Sequence, residues 1–235
     1  MKNKFWYGLK SESAIYPGLK RLQLIIGILS LCAYSANSQE KRLQIFQPLG
    51  RNTGTPCAID TSNIQIYYAF CASDIRNEDT YRDLFSLEIG KKNTKFYSQY
   101  LVKAEEDAKI WSKAHPKADS APFFRPKGKY HNGWSEYQYS QWFISDDTLT
   151  EYSCFPRWLG RYNCYHKERY PEQIWEIASD TMTVCGQLCQ KAVCRFRGRD
   201  YTAWFTPNIP LAYGPWKFGG LPGVILKAAD KDNLY

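Results

Sequence analysis

The sequence predicts a mainly β fold, a curved antiparallel sheet of half-barrel or sandwich-like shape with one amphipathic helix. Three observations predict it. Apolar residues alternate at period two in several segments between Ile64 and Thr206. Aromatic residues make up 16% of the chain, with 18 Tyr and 8 Trp, side chains that suit the pleated, half-buried surface of a strand. No stretch shows the strand–helix–strand alternation that a parallel doubly wound sheet requires.

Each element follows from local pattern. Ile64, Ile66, Tyr68 and Phe70 share one face of a strand. Tyr81–Ile89 continues with Phe85, Leu87 and Ile89 in step. Gly90-Lys-Lys-Asn93 is turn chemistry, and Thr94–Ser98 returns, so the pair is a hairpin. Leu101, Ala104, Ala108 and Trp111 then fall at helical spacing with acidic residues on the other side, and Pro116 ends the helix. Residues 117–132 are loop-like. Strands are expected over Trp134–Ile144, Thr148–Phe155, Ile174–Ala178, Thr183–Phe196 and Tyr201–Thr206, the last two joined by a turn at Gly198-Arg-Asp200. Alternation sets Ala192, Cys194 and Phe196 on one side and Val193, Arg195 and Arg197 on the other.

The chain has 235 residues and a net charge of +8. Half of that charge lies in residues 1–39, where Lys2, Lys4, Lys10, Lys20 and Arg21 face only Glu12. The rest is scattered, which is a solvated surface and not a phosphate-binding stripe, so nucleic acid is not the expected partner. The basic start leads into the apolar run Leu22–Tyr34, too short to span a bilayer comfortably. With Ala36-x-Ser38 after it, residues 1–38 read as a signal peptide cut before Gln39; Ala33-x-Ser35 offers a second cut. Residues 39–235 are then one exported β-rich domain, with no stable membrane span after cleavage. Export makes the remaining cysteines disulfide candidates. Cys154 and Cys164 bracket a turn-rich loop and are the preferred pair, with Cys57 and Cys71 second. No Cys-x-x-Cys occurs and the three histidines are scattered, so neither a metal site nor a cofactor is expected.

Residues Gly186–Ala192, Phe196–Arg199, Ala203–Thr206, Ile209-Pro210 and Gly214–Leu226 carry a resemblance to the GLPGLI family. The name-giving element stands here as Gly220-Leu221-Pro222-Gly223-Val224-Ile225. Leu87–Gly90 and Lys95–Ser98 are similar to the family's N-terminal hairpin. The resemblance implies an exported, predominantly antiparallel β protein of the Gram-negative envelope, periplasmic or secreted, with no assigned activity. Similar proteins run on through more strand, so it also implies a C-terminus truncated at Tyr235 and an unpaired edge there.

Physically the motif reads as a corner. Pro207, Pro210, Pro215 and Pro222 lack donors, and Gly214, Gly219, Gly220 and Gly223 permit positive φ. The first expectation is a structural brace, in which Tyr213, Trp216 and Phe218 plug the end of a curved sheet. The second is that these three aromatics line a ligand mouth. Asp146, Asp147, Asp200 and His166 are the acid and base candidates for a hydrolase, yet no known spacing links them, and Asp146-Asp147 look like turn residues. The expected function is therefore a non-catalytic envelope domain that binds an apolar or peptidic ligand or another envelope protein. The alternative is a hydrolase with an unrecognised active site.

Overall fold

The computed structural model describes residues 5–9, 43–46, 58–62, 64–119, 121–122, 137–153 and 163–230. Within them, eleven strands form one sheet and two strands form a second, and every pairing is antiparallel. The strands are β1 Phe5–Leu9, β2 Leu43–Phe46, β3 Ala58–Ser62, β4 Ile64–Phe70, β5 Asp83–Ile89, β6 Asn93–Ser98, β7 Ser140–Ser145, β8 Thr148–Ser153, β9 Cys164–Arg169, β10 Glu176–Val184, β11 Gln187–Phe196, β12 Arg199–Thr206 and β13 Val224–Asp230. The large sheet runs β10-β11-β12-β13-β1-β4-β5-β6-β7-β8-β9, and β2 pairs with β3 apart from it. The mainly β expectation holds, as an open curved sheet and not a closed barrel.

Period-two patterning builds the core. Tyr68, Phe70, Phe85, Leu87, Phe96, Trp142 and Leu149 from β4–β8 meet Ala192, Cys194, Phe196, Ala203, Phe205 and Ala228 from β11–β13 in one buried cluster. The two halves of the sheet therefore curl over a shared interior. Phe85 and Phe96 stack at 5.1 Å, and Phe70 and Trp142 each meet Tyr137 edge-on near 5.9 Å. The opposite face of β4–β6 carries a smaller cluster of Ala69, Leu84 and Tyr100, where α1 (Gln99–Ala114) packs on β5. Ser98 caps that helix by accepting from Leu101 N at 3.1 Å, and His115 closes it just before Pro116.

Three sequence expectations change. Thr183–Phe196 is two strands and not one: Cys185 (φ 50°) and Gly186 (φ 76°) make a two-residue turn with both residues left-handed, so β10 and β11 form a hairpin. Of the strand expected over Trp134–Ile144, residues 134–136 lie outside the described ones, residues 137–139 form a turn, and strand runs from Ser140. Strand β9 was not anticipated; its residues are largely exposed, so they show no apolar alternation. The predicted leader and the structure overlap at one place: Phe5–Leu9, inside residues 1–38, forms β1 in the middle of the sheet. Strand β13 is thus paired on both sides, by β12 and β1, and residues 231–235 lie outside the described ones. No helix among the described residues is long and apolar enough to cross a membrane.

Candidate functional site

Between β12 and β13 the chain leaves the sheet for residues 207–223, the corner the sequence singled out. The four glycines there act in two ways. Only Gly220 uses a positive φ, at 80°. Gly214, Gly219 and Gly223 are needed for close approach: a Cβ would stand 2.9 Å from Ile225, 2.3 Å from the Tyr170 hydroxyl and 2.2 Å from the Thr206 carbonyl oxygen respectively. The expectation that all four permit positive φ is corrected accordingly. The left-handed residue of the corner besides Gly220 is Trp216, at φ 57°.

The corner's own hydrogen bonds tie it to the sheet. Ile225 N donates to Tyr213 O at 3.0 Å, Val224 N to Ile209 O at 3.0 Å, and Gly220 N to Ala212 O at 3.0 Å. The linker between β9 and β10 clamps it from the other side. Gly219 N donates to Gln173 Oε1 (3.0 Å), Gln173 Nε2 to Lys217 O (3.2 Å), and Trp175 Nε1 to Gly219 O (2.8 Å). The strand expected over Ile174–Ala178 would include Trp175, but β10 begins only at Glu176, and Gln173 and Trp175 lie in a short irregular link. Their roles follow only from where that link crosses the corner.

The side chains alternate between core and rim. Phe218 is 2% exposed and lies 4.9 Å from Tyr201 and 6.0 Å from Trp175; Leu221 and Gly223 are also buried. Tyr213 and Trp216 are half-buried, and Gly220 and Pro222 face solvent. Trp216 touches Phe218 (5.3 Å), Phe196 (5.9 Å) and Tyr137 (6.2 Å), so its ring bridges the corner to the chain entering β7. Sequence reasoning did not identify Tyr137 or Trp142, which join this ring system through the 5.8 Å Tyr137–Trp142 contact.

A charged group sits directly beside the rings. Lys217 has a 5% exposed side chain, and its Nζ reaches Glu151 Oε2 at 2.8 Å on β8 and Glu168 Oε1 at 3.1 Å on β9. Arg197, in the β11–β12 turn, also pairs with Glu168. Partial burial alone would raise the Glu168 carboxyl, but the Lys217 hydrogen bond and charge together with Arg197 outweigh it and hold it below the usual glutamate range. This latch fastens the β8–β9 side of the sheet to the corner and to the β11–β12 hairpin.

Polar atoms without partners lie in the same region. Both amide atoms of Gln138 and the Nε1 of Trp142 are buried and make no hydrogen bond; each residue is 1% exposed. The Tyr170 hydroxyl, packed on Gly219, is likewise buried without a partner.

The acid and base candidates do not converge in this way. Asp146 (φ 53°) and Asp147 form the two-residue turn between β7 and β8, as their sequence suggested. Asp200, half-buried on β12, pairs with Arg195 on β11 at 3.3 Å, since the turn expected at Gly198-Arg-Asp200 is formed by Arg197 and Gly198. His166 lies on the exposed strand β9. Among the described residues no group of three or more His, Cys, Asp or Glu side chains could hold a metal ion. Cys164 opens β9 as an exposed thiol without a disulfide, and its expected partner Cys154 lies outside the described residues, as does Cys57. Cys189 and Cys194 are buried in the core, and burial pushes both thiols up to about 11.

A family model described as "Protein of unknown function (Porph_ging)" matches residues 194–227, from the end of β11 through β12 and the corner into β13. No curated protein matches the chain. Two solved structures of PNGF-II, in space groups P21 and C2, are similar over 63% of this chain. Their TM-scores are 0.41 and 0.39 at 13% and 12% identity, and the chain spans only 22% and 24% of their length. Likeness at that level transfers neither fold detail nor function.

Proposed function

We propose that this chain is a non-catalytic, exported envelope domain of the GLPGLI kind that binds an apolar or peptidic ligand at the rim formed by Tyr213, Trp216 and Tyr137. The observation that carries the reading is the buried, unpartnered Nε1 of Trp142, whose ring meets Tyr137 at 5.8 Å, together with the buried, unpartnered amide of Gln138, the next residue in the chain after Tyr137. A buried amide without a hydrogen bond costs roughly 1–3 kcal/mol. A ligand that is mostly apolar, with one carbonyl, carboxyl or amide group, would satisfy the indole N–H and the glutamine amide while its body lies against the aromatic faces. The match to a family of unknown function over residues 194–227 is consistent with such a role. The corner itself then serves both expectations at once: Phe218, Leu221 and Gly223 brace the sheet, while Tyr213 and Trp216 stand at the rim.

The test separates ligand from brace through Gln138. Replacing Gln138 by Leu removes an unsatisfied amide at similar size, so stability should hold or rise. A bromine-labelled fatty acid should quench tryptophan emission saturably in the unmodified protein and at least tenfold more weakly in Gln138→Leu. Unsaturable quenching, or equal affinity in the variant, would refute the rim site.

A further inference from the structure

We propose that the rim of Tyr137, Tyr213 and Trp216 selects ligands whose polar end is a neutral amide, the group a peptide carries, over ligands that end in a free carboxylate or an ester. The inference rests on the rim reading above and narrows its ligand class.

The orphaned groups set the requirement. Tyr137 to Tyr139 form the turn that leads into β7, closed by Ser140 N donating to Tyr137 O at 2.9 Å, and Gln138 sits at its middle. Trp142 follows four residues later, and its ring reaches Tyr137, which in turn meets Trp216. The Trp142 indole has one N–H and no acceptor. The Gln138 side chain has two N–H donors and a carbonyl oxygen, and neither end has a partner. Both residues are 1% exposed, so bulk water does not meet these needs. Exchanging the oxygen and nitrogen of the Gln138 amide leaves the same inventory, so the requirement is the same either way round.

A ligand that completes these groups must accept hydrogen bonds and also donate one. A carboxylate only accepts. It would serve the N–H groups and leave the Gln138 carbonyl stranded beside another negative oxygen. An ester fails in the same way without the charge. A primary amide carries C=O and N–H on one edge, so it can pair head to head with the Gln138 amide, each donating to the other. The second lone pair of its oxygen is left for an indole N–H.

Charge points the same way. Lys217 Nζ stands 5.8 Å from the centre of the Trp216 ring, and the Arg197 guanidinium 5.3 Å from that of Phe196, which itself touches Trp216. Both cations are already engaged: Lys217 holds Glu151 and Glu168, and Arg197 holds Glu168. Two cations against two carboxylates leave no net positive charge to receive a third carboxylate. A ligand anion at the rim would be desolvated without compensation, whereas a neutral amide has no such penalty.

The experiment uses the full chain and three probes that share one bromine-labelled alkyl chain: the fatty acid at about pH 8, where it is ionised, its methyl ester and its primary amide. Saturable quenching of tryptophan emission reads each affinity. The expected result is that the amide binds at least tenfold more tightly than either the ester or the acid. In Gln138→Leu the ratio of amide to ester affinity should fall to about one, because the acceptor for the amide N–H is gone. The comparison in the unmodified protein stands whether or not the variant folds. An amide that binds no better than the ester, or an acid that binds as tightly as the amide, overturns the inference while leaving the rim reading intact. An amide preference that survives in Gln138→Leu overturns it as well, since the donor then has its partner elsewhere. Absence of saturable quenching by all three probes refutes the rim reading, and the inference with it.

Discussion

Gly223 and Gly220 stand three residues apart in one motif and are required for different reasons. At Gly223 a Cβ would meet the Thr206 carbonyl oxygen at 2.2 Å and the Pro207 Cα at 2.9 Å, both backbone atoms that cannot rotate aside. At Gly220 nothing lies within 4 Å, and only the φ of 80° is unfavourable. Gly223→Ala should thus cost about 2–3 kcal/mol, as overpacking of a close-packed contact. Gly220→Ala should cost about 1 kcal/mol of backbone strain. Urea unfolding of the two variants compares them directly, and a larger loss at Gly220 would contradict the geometry. The sequence made the irregular backbone of this corner legible, because prolines and glycines alternate through it. Which glycine avoids a clash was not legible, since that depends on where the end of β12 passes, and Trp216 in a left-handed conformation carries no signal at all.

The strands were readable where apolar side chains keep period two. Strand β4 matches its predicted bounds, and β5–β6 form the expected hairpin because Phe85, Leu87 and Phe96 keep period two on either side of Gly90–Asn93. Strand β9 was hidden by its exposure, yet it holds Glu168, half of the latch on Lys217. That latch makes a pH prediction. The folded state holds Glu168 below its ordinary value, so its contribution to stability is fully present above the unfolded glutamate range. It is lost as pH falls below about 4.5 and passes through the folded value. Thermal melts taken from pH 6 down to pH 3 should therefore fall more steeply for the unmodified protein than for Lys217→Met, which keeps only the Arg197–Glu168 pair. The two carboxylates keep water contact while the ammonium does not, with side-chain exposures of 29%, 23% and 5%. Replacing both Glu151 and Glu168 by Gln should then cost more than Lys217→Met, because it strands a buried charge at roughly 3–5 kcal/mol. Equal losses, or parallel pH profiles, would mean that the pairs contribute nothing.

At the scale of the whole molecule the sheet order is what no local pattern could give. Strands β4–β9 and β10–β13 are each built from neighbours in sequence, but β13 meets β4 only through β1, a strand drawn from the predicted leader. The two groups of strands could in principle behave as separate folding units. Their shared interior argues otherwise, and the bond from the Tyr68 hydroxyl to Ile225 O is the most direct link, buried and joining residues 157 apart. Tyr68→Phe deletes that donor, leaves the ring packing intact, and removes a partner from a buried carbonyl, for a loss of about 1–2 kcal/mol. In one cooperative unit the loss must be felt by both groups of strands together. Far-ultraviolet circular dichroism, which follows the strands, and near-ultraviolet dichroism, to which the packed Trp142–Tyr137–Trp216 ring system contributes, should then shift to lower temperature by the same amount and remain superimposed. Transitions that separate in the variant would show that the curl holds two units, and that the Tyr68 hydroxyl was the link coupling them.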